Sequence, residues 1–129
     1  MTAKYELDER FIAQQRERLQ NLKEELLRVR RSMEEDERQR SEEERDIQLD
    51  SGDMSQEMFT REMDATIGEQ VERRLKDVDR ALEKIEEGTY GICDDTGEPI
   101  PKGRLEAVPE AIRTVEAQQR YERERRPPF

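Results

Sequence analysis

The chain has 129 residues, 45% of them charged and 31% hydrophobic, with three Phe, three Tyr and no Trp, which is enough for one domain, or one small domain with an extended element, and too little for a large globular core. A formal net charge of −10 excludes duplex nucleic acid as the main partner, because phosphate contacts need a basic surface, and points to a protein with a basic channel or patch. No apolar run approaches the roughly 20 residues of a membrane span, the opening "MTAKYELDER" has no apolar signal region, and one cysteine cannot form an internal disulfide, so a cytoplasmic protein is expected.

Two long helices come first. From Ile12, apolar residues recur at Leu19, Leu22, Leu26, Val29 and Met33 in alternating steps of three and four, a heptad seam. A second series runs Ile67, Val71, Leu75, Val78, Leu82 and Ile85, and Gly88 is placed to stop it. Between them, "LDSGDMSQE" holds a Ser-Gly-Asp turn signal. Pairing 19 with 85, 22 with 82, 26 with 78, 29 with 75 and 33 with 71 gives a constant sum of 104, which centres the fold-back on Gly52. The seams and the turn chemistry therefore predict the same antiparallel hairpin. At about 1.5 Å per residue, its tip would stand on the order of 50 Å from Leu19.

The stretch "EEDERQRSEEERD", residues 34 to 46, has no apolar residue, so seam packing does not account for a hairpin of that length; a charged, solvated face is the plain reading. At the tip, Asp53 can N-cap the second helix, with Gln56 completing a capping box. Asp50 has no such role: it falls at the C-terminal end of the first helix, where the macrodipole disfavours an anion.

After Gly88 comes "GTYGICDDTGEP", a knuckle of the kind that holds zinc. A tetrahedral thiolate site needs two C-x2-C pairs, but here the four positions read Cys93, Thr96, Thr114 and Ala117, and there is no histidine. One thiolate, two threonines and an alanine cannot close a structural zinc site. Asp94 and Asp95 read as solvent-exposed turn residues before they read as a weak cation site. Cys93 reads as a small core residue, since nothing in the sequence marks a basic activator beside it. The last helix is expected to begin near Pro109 and to carry Thr114 and Ala117.

The run "YGICDDTGEPI…RLEAVPEA" resembles the C-terminal signature of the DksA/TraR family, with Tyr90, Gly91, Cys93, Gly97, Glu98, Ile100, Arg104, Leu105, Glu106, Ala107 and Pro109 in matching places. The family's coiled coil coincides with the hairpin. Its tip motif Asp-x-x-Asp-x-Ala corresponds to Asp50 through Ser55, with both acids kept and serine in place of alanine. The resemblance covers nearly the whole chain from about residue 7. It implies a mostly α protein: a long antiparallel coiled-coil hairpin over 1–88 with its tip near 50–53, then, over 89–129, a small zinc-finger-like end lacking zinc and a C-terminal helix.

It also implies a transcription factor that binds RNA polymerase directly, inserts the hairpin into the secondary channel, and sets Asp50, Asp53 and Ser55 near the active site to modulate open complexes at promoters such as those of ribosomal RNA. No cofactor, no sequence-specific DNA contact, no membrane and a monomeric state go with that reading. Members of the DksA type bind the alarmone ppGpp with polymerase in the stringent response through basic side chains; the matching positions here are Asp77, Val108 and Gln118, none basic, with Arg74, Lys76 and Arg104 nearby. Two other classes stay open. The tip acids could hold Mg²⁺ and promote transcript cleavage, as in the Gre factors, or the hairpin could be an inert adaptor.

Overall fold

The computed structural model describes residues 7–46 and 54–125, with side chains over 7–43 and 60–125. Among the described residues, four helices follow in order: α1 (Glu9–Asp46), α2 (Met54–Glu87), α3 (Lys102–Ala107) and α4 (Val115–Arg125). Helix α1 starts where Asp8 accepts a hydrogen bond from the Arg10 N–H at 3.3 Å, an N-cap. Helix α2 ends in a Schellman motif: Gly88 adopts φ 79°, its N–H reaches the Ile85 carbonyl, and the Thr89 N–H reaches the Lys84 carbonyl. A side chain at position 88 would oppose that left-handed turn. Among the described residues no helix is long and apolar enough to cross a membrane.

Helices α1 and α2 form the antiparallel hairpin in nearly the expected register. Arg16 meets Glu86 at 3.3 Å, Arg30 meets Glu72 at 3.3 Å and Arg40 meets Asp64 at 2.9 Å. These pairs sum to 102, 102 and 104, against the 104 read from the seams.

The chain divides into two compact units. The first holds residues up to Leu22 together with those from Lys76 onward. Its core is Phe11, Leu19, Val78, Ala81, Tyr90, Cys93, Ile100 and Leu105, with Leu19, Val78, Ala81, Ile100 and Leu105 at 0% exposure. Each large aliphatic side chain buried to that degree contributes about 1.5–3 kcal/mol. Here the structure corrects the first seam: Ile12 is only half-buried, and Phe11 and Gln15 are the buried positions.

The second unit spans Lys23–Leu75. Among its described side chains, Leu26, Val71 and Leu75 are buried. Val29 and Ile67, read as seam residues, are 42% and 43% exposed. None of the described side chains over 27–43 or 60–70 is buried, and surface ion pairs such as Arg30–Glu72 contribute only about 0–1 kcal/mol each. The hairpin is therefore a well-packed pair of helices in one part and a thinly packed one in another.

The globular end departs from the expected last helix. After the knuckle, closed by an antiparallel bridge of Ile92 to Pro99, the short α3 intervenes, and residues 108–114 are turn and loop. Pro109 does not start α4. Thr114 does: its Oγ1 accepts the Ala117 N–H at 3.2 Å and its carbonyl accepts the Gln118 N–H at 2.8 Å.

Candidate functional site: the knuckle and its clamp

The four knuckle positions are brought to one place. Cys93 is 2% exposed, Thr114 8% and Ala117 1%, while Thr96 lies at the surface. Burial pushes the Cys93 thiol up; hydrogen bonds from the Thr96 hydroxyl and from the backbone N–H groups of Thr114, Thr96 and Asp95 outweigh it, so the net direction is down. The sulfur thus sits in a ring of donors drawn from both halves of the knuckle. Donor chemistry decides whether a zinc ion fits there. The Thr96 hydroxyl accepts the Glu98 N–H at 3.2 Å, the Thr114 hydroxyl is the cap of α4, and Ala117 has no donor. Among the described residues no three Cys, Asp, Glu or His side chains are grouped to hold a metal. The residues present do not fit a tetrathiolate zinc site.

What joins the knuckle to the hairpin is ionic. Arg80 on α2 donates through Nε to Asp94 Oδ2 at 2.8 Å and through a terminal nitrogen to Oδ1 at 3.0 Å, a bidentate pair. Lys84, one turn on, donates to Asp94 Oδ1 at 2.7 Å, with its side chain 3% exposed. Glu83 and Glu87 also pair with Arg80. The Arg80 guanidinium is held above its ordinary range, by the Asp94 hydrogen bond first and then by Glu83, against a loss to burial. The Asp94 N–H meanwhile bonds the Ile112 carbonyl at 2.9 Å, so one residue links α2, the knuckle and the segment leading to α4.

Asp95 reaches Arg113 at 2.9 Å, and Arg113 stacks over Tyr121, 3.8 Å from the ring centre, with Arg125 at 4.6 Å. Both acids are solvent-exposed turn residues, as expected, and each is also an anchor for basic residues, Asp94 for Arg80 and Lys84 and Asp95 for Arg113.

A second junction is a buried polar network. Gln15, 2% exposed, donates to the Tyr90 hydroxyl at 2.9 Å and to the Leu105 carbonyl at 2.8 Å, while the Tyr90 hydroxyl donates to the Pro109 carbonyl at 2.8 Å. Arg18 completes it by donating to Gln15 Oε1 at 2.8 Å. Every polar end has a partner, so losing one strands another. Gln15→Leu, of similar volume, is expected to lower unfolding free energy by about 2 kcal/mol, measured as a shifted urea midpoint at unchanged slope; an unshifted midpoint would mean that the network is dispensable.

The tip positions Asp50 and Asp53, and the cap expected of Asp53 with Gln56, lie outside the described residues. Ser55 falls in the first turn of α2. Among the positions matched to ppGpp contacts, Gln118 bonds Glu122 at 3.0 Å, and nearby Arg104 donates to the Arg113 carbonyl at 3.0 Å.

Residues 88–123 match the family model described as the prokaryotic dksA/traR C4-type zinc finger. Among curated relatives, the RNA polymerase-binding transcription factor DksA of Caulobacter vibrioides is 52% identical over 52 residues, 40% of this chain and 37% of that one. General stress protein 16O of Bacillus subtilis is 54% identical over 55 residues, 43% and 34% of the two chains. These matches span little more than a third of the relatives' own lengths. Two solved structures match far more of the chain. Transcription factor DksA2 of Pseudomonas aeruginosa aligns with TM-score 0.67 at 30% identity over 92% of this chain and 89% of its own. The RNA polymerase binding protein and transcriptional regulator Dks of Chlamydia trachomatis aligns with TM-score 0.59, also at 30% identity, over 92% and 94%. With hairpin, knuckle and C-terminal helix all included in likeness of that extent, the chain belongs to the DksA/TraR family.

Proposed function

We propose that this protein is a transcription regulator that binds RNA polymerase through its secondary channel and works without zinc. The observation that carries the reading is the likeness, at 30% identity over nine-tenths of the chain, to two solved transcription factors. On this reading the hairpin is long because it spans a channel, and acidic because the channel is basic. Asp50, Asp53 and Ser55 approach the polymerase active site and shift the balance of promoter open complexes. No reaction is catalysed. The protein acts as a monomer in the cytoplasm, where the polymerase is.

Zinc independence is supported by the donor set. Thr114 and Ala117 are engaged in the start of α4, and the Asp94 clamp joins the knuckle to α2. Weak or absent synergy with ppGpp follows from the acidic or neutral residues at Asp77, Val108 and Gln118.

The test is multi-round transcription in vitro from a ribosomal RNA promoter with the cognate polymerase, in zinc-free buffer with chelator, comparing the parent with Asp50→Asn. The parent is expected to inhibit, with or without ppGpp, and the variant to lose inhibition while still binding polymerase. Equal inhibition by both would remove the tip assignment. Inhibition by neither would leave a family member that shares the fold and not the action.

A further inference from the structure

The net charge of the protein is concentrated in one stretch. Residues 34–70 hold fourteen acids and four arginines, while the rest of the chain holds twenty acids and twenty bases. Both helices of the hairpin share the surplus: eight acids to three arginines over 34–46 of α1, and four acids to one arginine over 54–70 of α2. The second unit therefore sets two helices of like charge side by side. Packed helices lie about 8–10 Å apart, no farther than the screening length of about 10 Å at 0.1 M salt and well inside that of about 30 Å at 0.01 M.

Little opposes that repulsion. Helices in proteins hold chiefly through packed apolar faces, yet no described side chain over 27–43 or 60–70 is buried, and Val29, Met63 and Ile67 are 42%, 50% and 43% exposed. A cavity of about 770 Å³ lies open between the helices beside Met33, Ala65 and Gly68. A side-chain carbon added at Gly68 would touch only the end of Met33, at 3.6 Å, and a glycine inside α2 weakens the helix at the same place. Across the hairpin, Arg30 pairs with Glu72 and Arg40 with Asp64, but all four side chains are a quarter or more exposed, where such pairs add little. The four arginines of 34–70 can match at most four of its fourteen acids.

We infer that the second unit is a charge-gated hairpin: its helices part where the acidic surplus is unscreened and close, as in this structure, when salt or a basic surface neutralises it. Repulsion within the hairpin outweighs the ion pairs across it, so added salt tightens this unit where it would loosen one held by ion pairs. The gate belongs to the free chain and goes beyond the proposed function. Only its biological sense rests on that reading: a basic channel then draws the same equilibrium toward the closed state that salt does.

The test is amide hydrogen exchange of the full-length protein, read by mass spectrometry at about 0.01 M and about 0.5 M sodium chloride, each rate taken relative to the urea-unfolded chain at the same salt. Amides over 27–43 and 60–70 are expected to exchange at least about tenfold more slowly at the higher salt, while those over 11–22 and 76–87, which belong to the buried core of the first unit, change by less than about twofold. The triple variant Glu34→Gln, Glu42→Gln, Glu69→Gln keeps helix propensity and leaves the partners of Arg30 and Arg40 in place. It is expected to show at low salt most of the slowing that the parent reaches only at high salt. Exchange in the parent that quickens with salt overturns the inference, because ion pairs would then hold the helices together. Exchange indifferent to salt overturns it as well and assigns the hairpin to packing. A triple variant that exchanges like the parent at low salt would show that salt acts through something other than repulsion, which also overturns it. None of these readings involves polymerase, so failure of the gate leaves the proposed function standing, and the transcription assay decides that separately.

Discussion

Asp94→Ala is expected to lower the unfolding free energy by about 3 kcal/mol, because it leaves Lys84 as a buried cation without its acceptor. The cost is set by Lys84 more than by Arg80: the Lys84 side chain is 3% exposed, while Arg80 is 33% exposed and retains Glu83 and Glu87. Asp95→Ala is the contrast. It removes a surface pair, Asp95 being 36% exposed, and is expected to cost less than about 1 kcal/mol. The two variants alter adjacent residues of the same charge, so a general effect of net charge would move them equally.

The pH dependence gives an independent check. Hydrogen bonds from Arg80, opposed by partial burial and reinforced by Lys84, hold the folded Asp94 carboxyl below its ordinary range. A group with a depressed folded value adds stability that is fully present above the unfolded carboxylate value of about 4 and is lost as pH falls through the folded one. The clamp therefore works in full at pH 7 and fails only below about pH 4. Urea unfolding should show the parent losing stability steeply there, and Asp94→Asn, already short of the charge at pH 7, should show a shallower acid limb. Parallel acid limbs would mean that other carboxylates carry the loss.

The hairpin was legible because its evidence repeats along the chain. Two apolar series had to agree on one fold-back, and the ion pairs Arg30–Glu72 and Arg40–Asp64 fall within two residues of that register. Gly88 was legible for a local reason, since a glycine after the last seam residue is what a left-handed turn needs. What was not legible shares a cause: it depended on partners distant in sequence. Nothing local marks Gln15 as a core residue; its bonds come from Tyr90 and Leu105, 75 and 90 residues away. Asp94 and Asp95 are the exposed turn acids that the sequence reads, but nothing local announces their pairing with Arg80, Lys84 and Arg113.

Two errors were of another kind. The sequence places the start of the last helix near Pro109, but Thr114 stands just before α4 and offers the better cap; the proline carbonyl instead accepts from Tyr90. Val29 and Ile67 kept the right spacing and stay exposed, because periodicity reports the face a residue occupies and not how closely the opposite helix covers it.

The triple variant Thr96→Cys, Thr114→Cys, Ala117→Cys is expected to turn this protein into one that binds zinc stoichiometrically. Cys93 already draws on the Thr96 hydroxyl and on the backbone of both Thr96 and Thr114, and Thr114 is tied to Ala117 by the cap. Four thiolates at those positions would satisfy the tetrahedral demand that one cannot. Removing the Thr114 cap costs about 1 kcal/mol, whereas closing a structural zinc site in small domains is worth on the order of 10 kcal/mol, so the balance strongly favours the metal. Metal analysis of the purified variant should give about one zinc per chain, and chelator should lower its melting temperature sharply while leaving the parent's unchanged. Asp94→Ala should cost about the same in the zinc-loaded triple variant as in the parent, because the metal closes the knuckle but gives the buried Lys84 on α2 no acceptor. A triple variant that emerges metal-free would show that the four positions do not converge as the donor ring around Cys93 implies. A much smaller cost of Asp94→Ala in the zinc-loaded background would show that the clamp acts by closing the knuckle and not by satisfying Lys84.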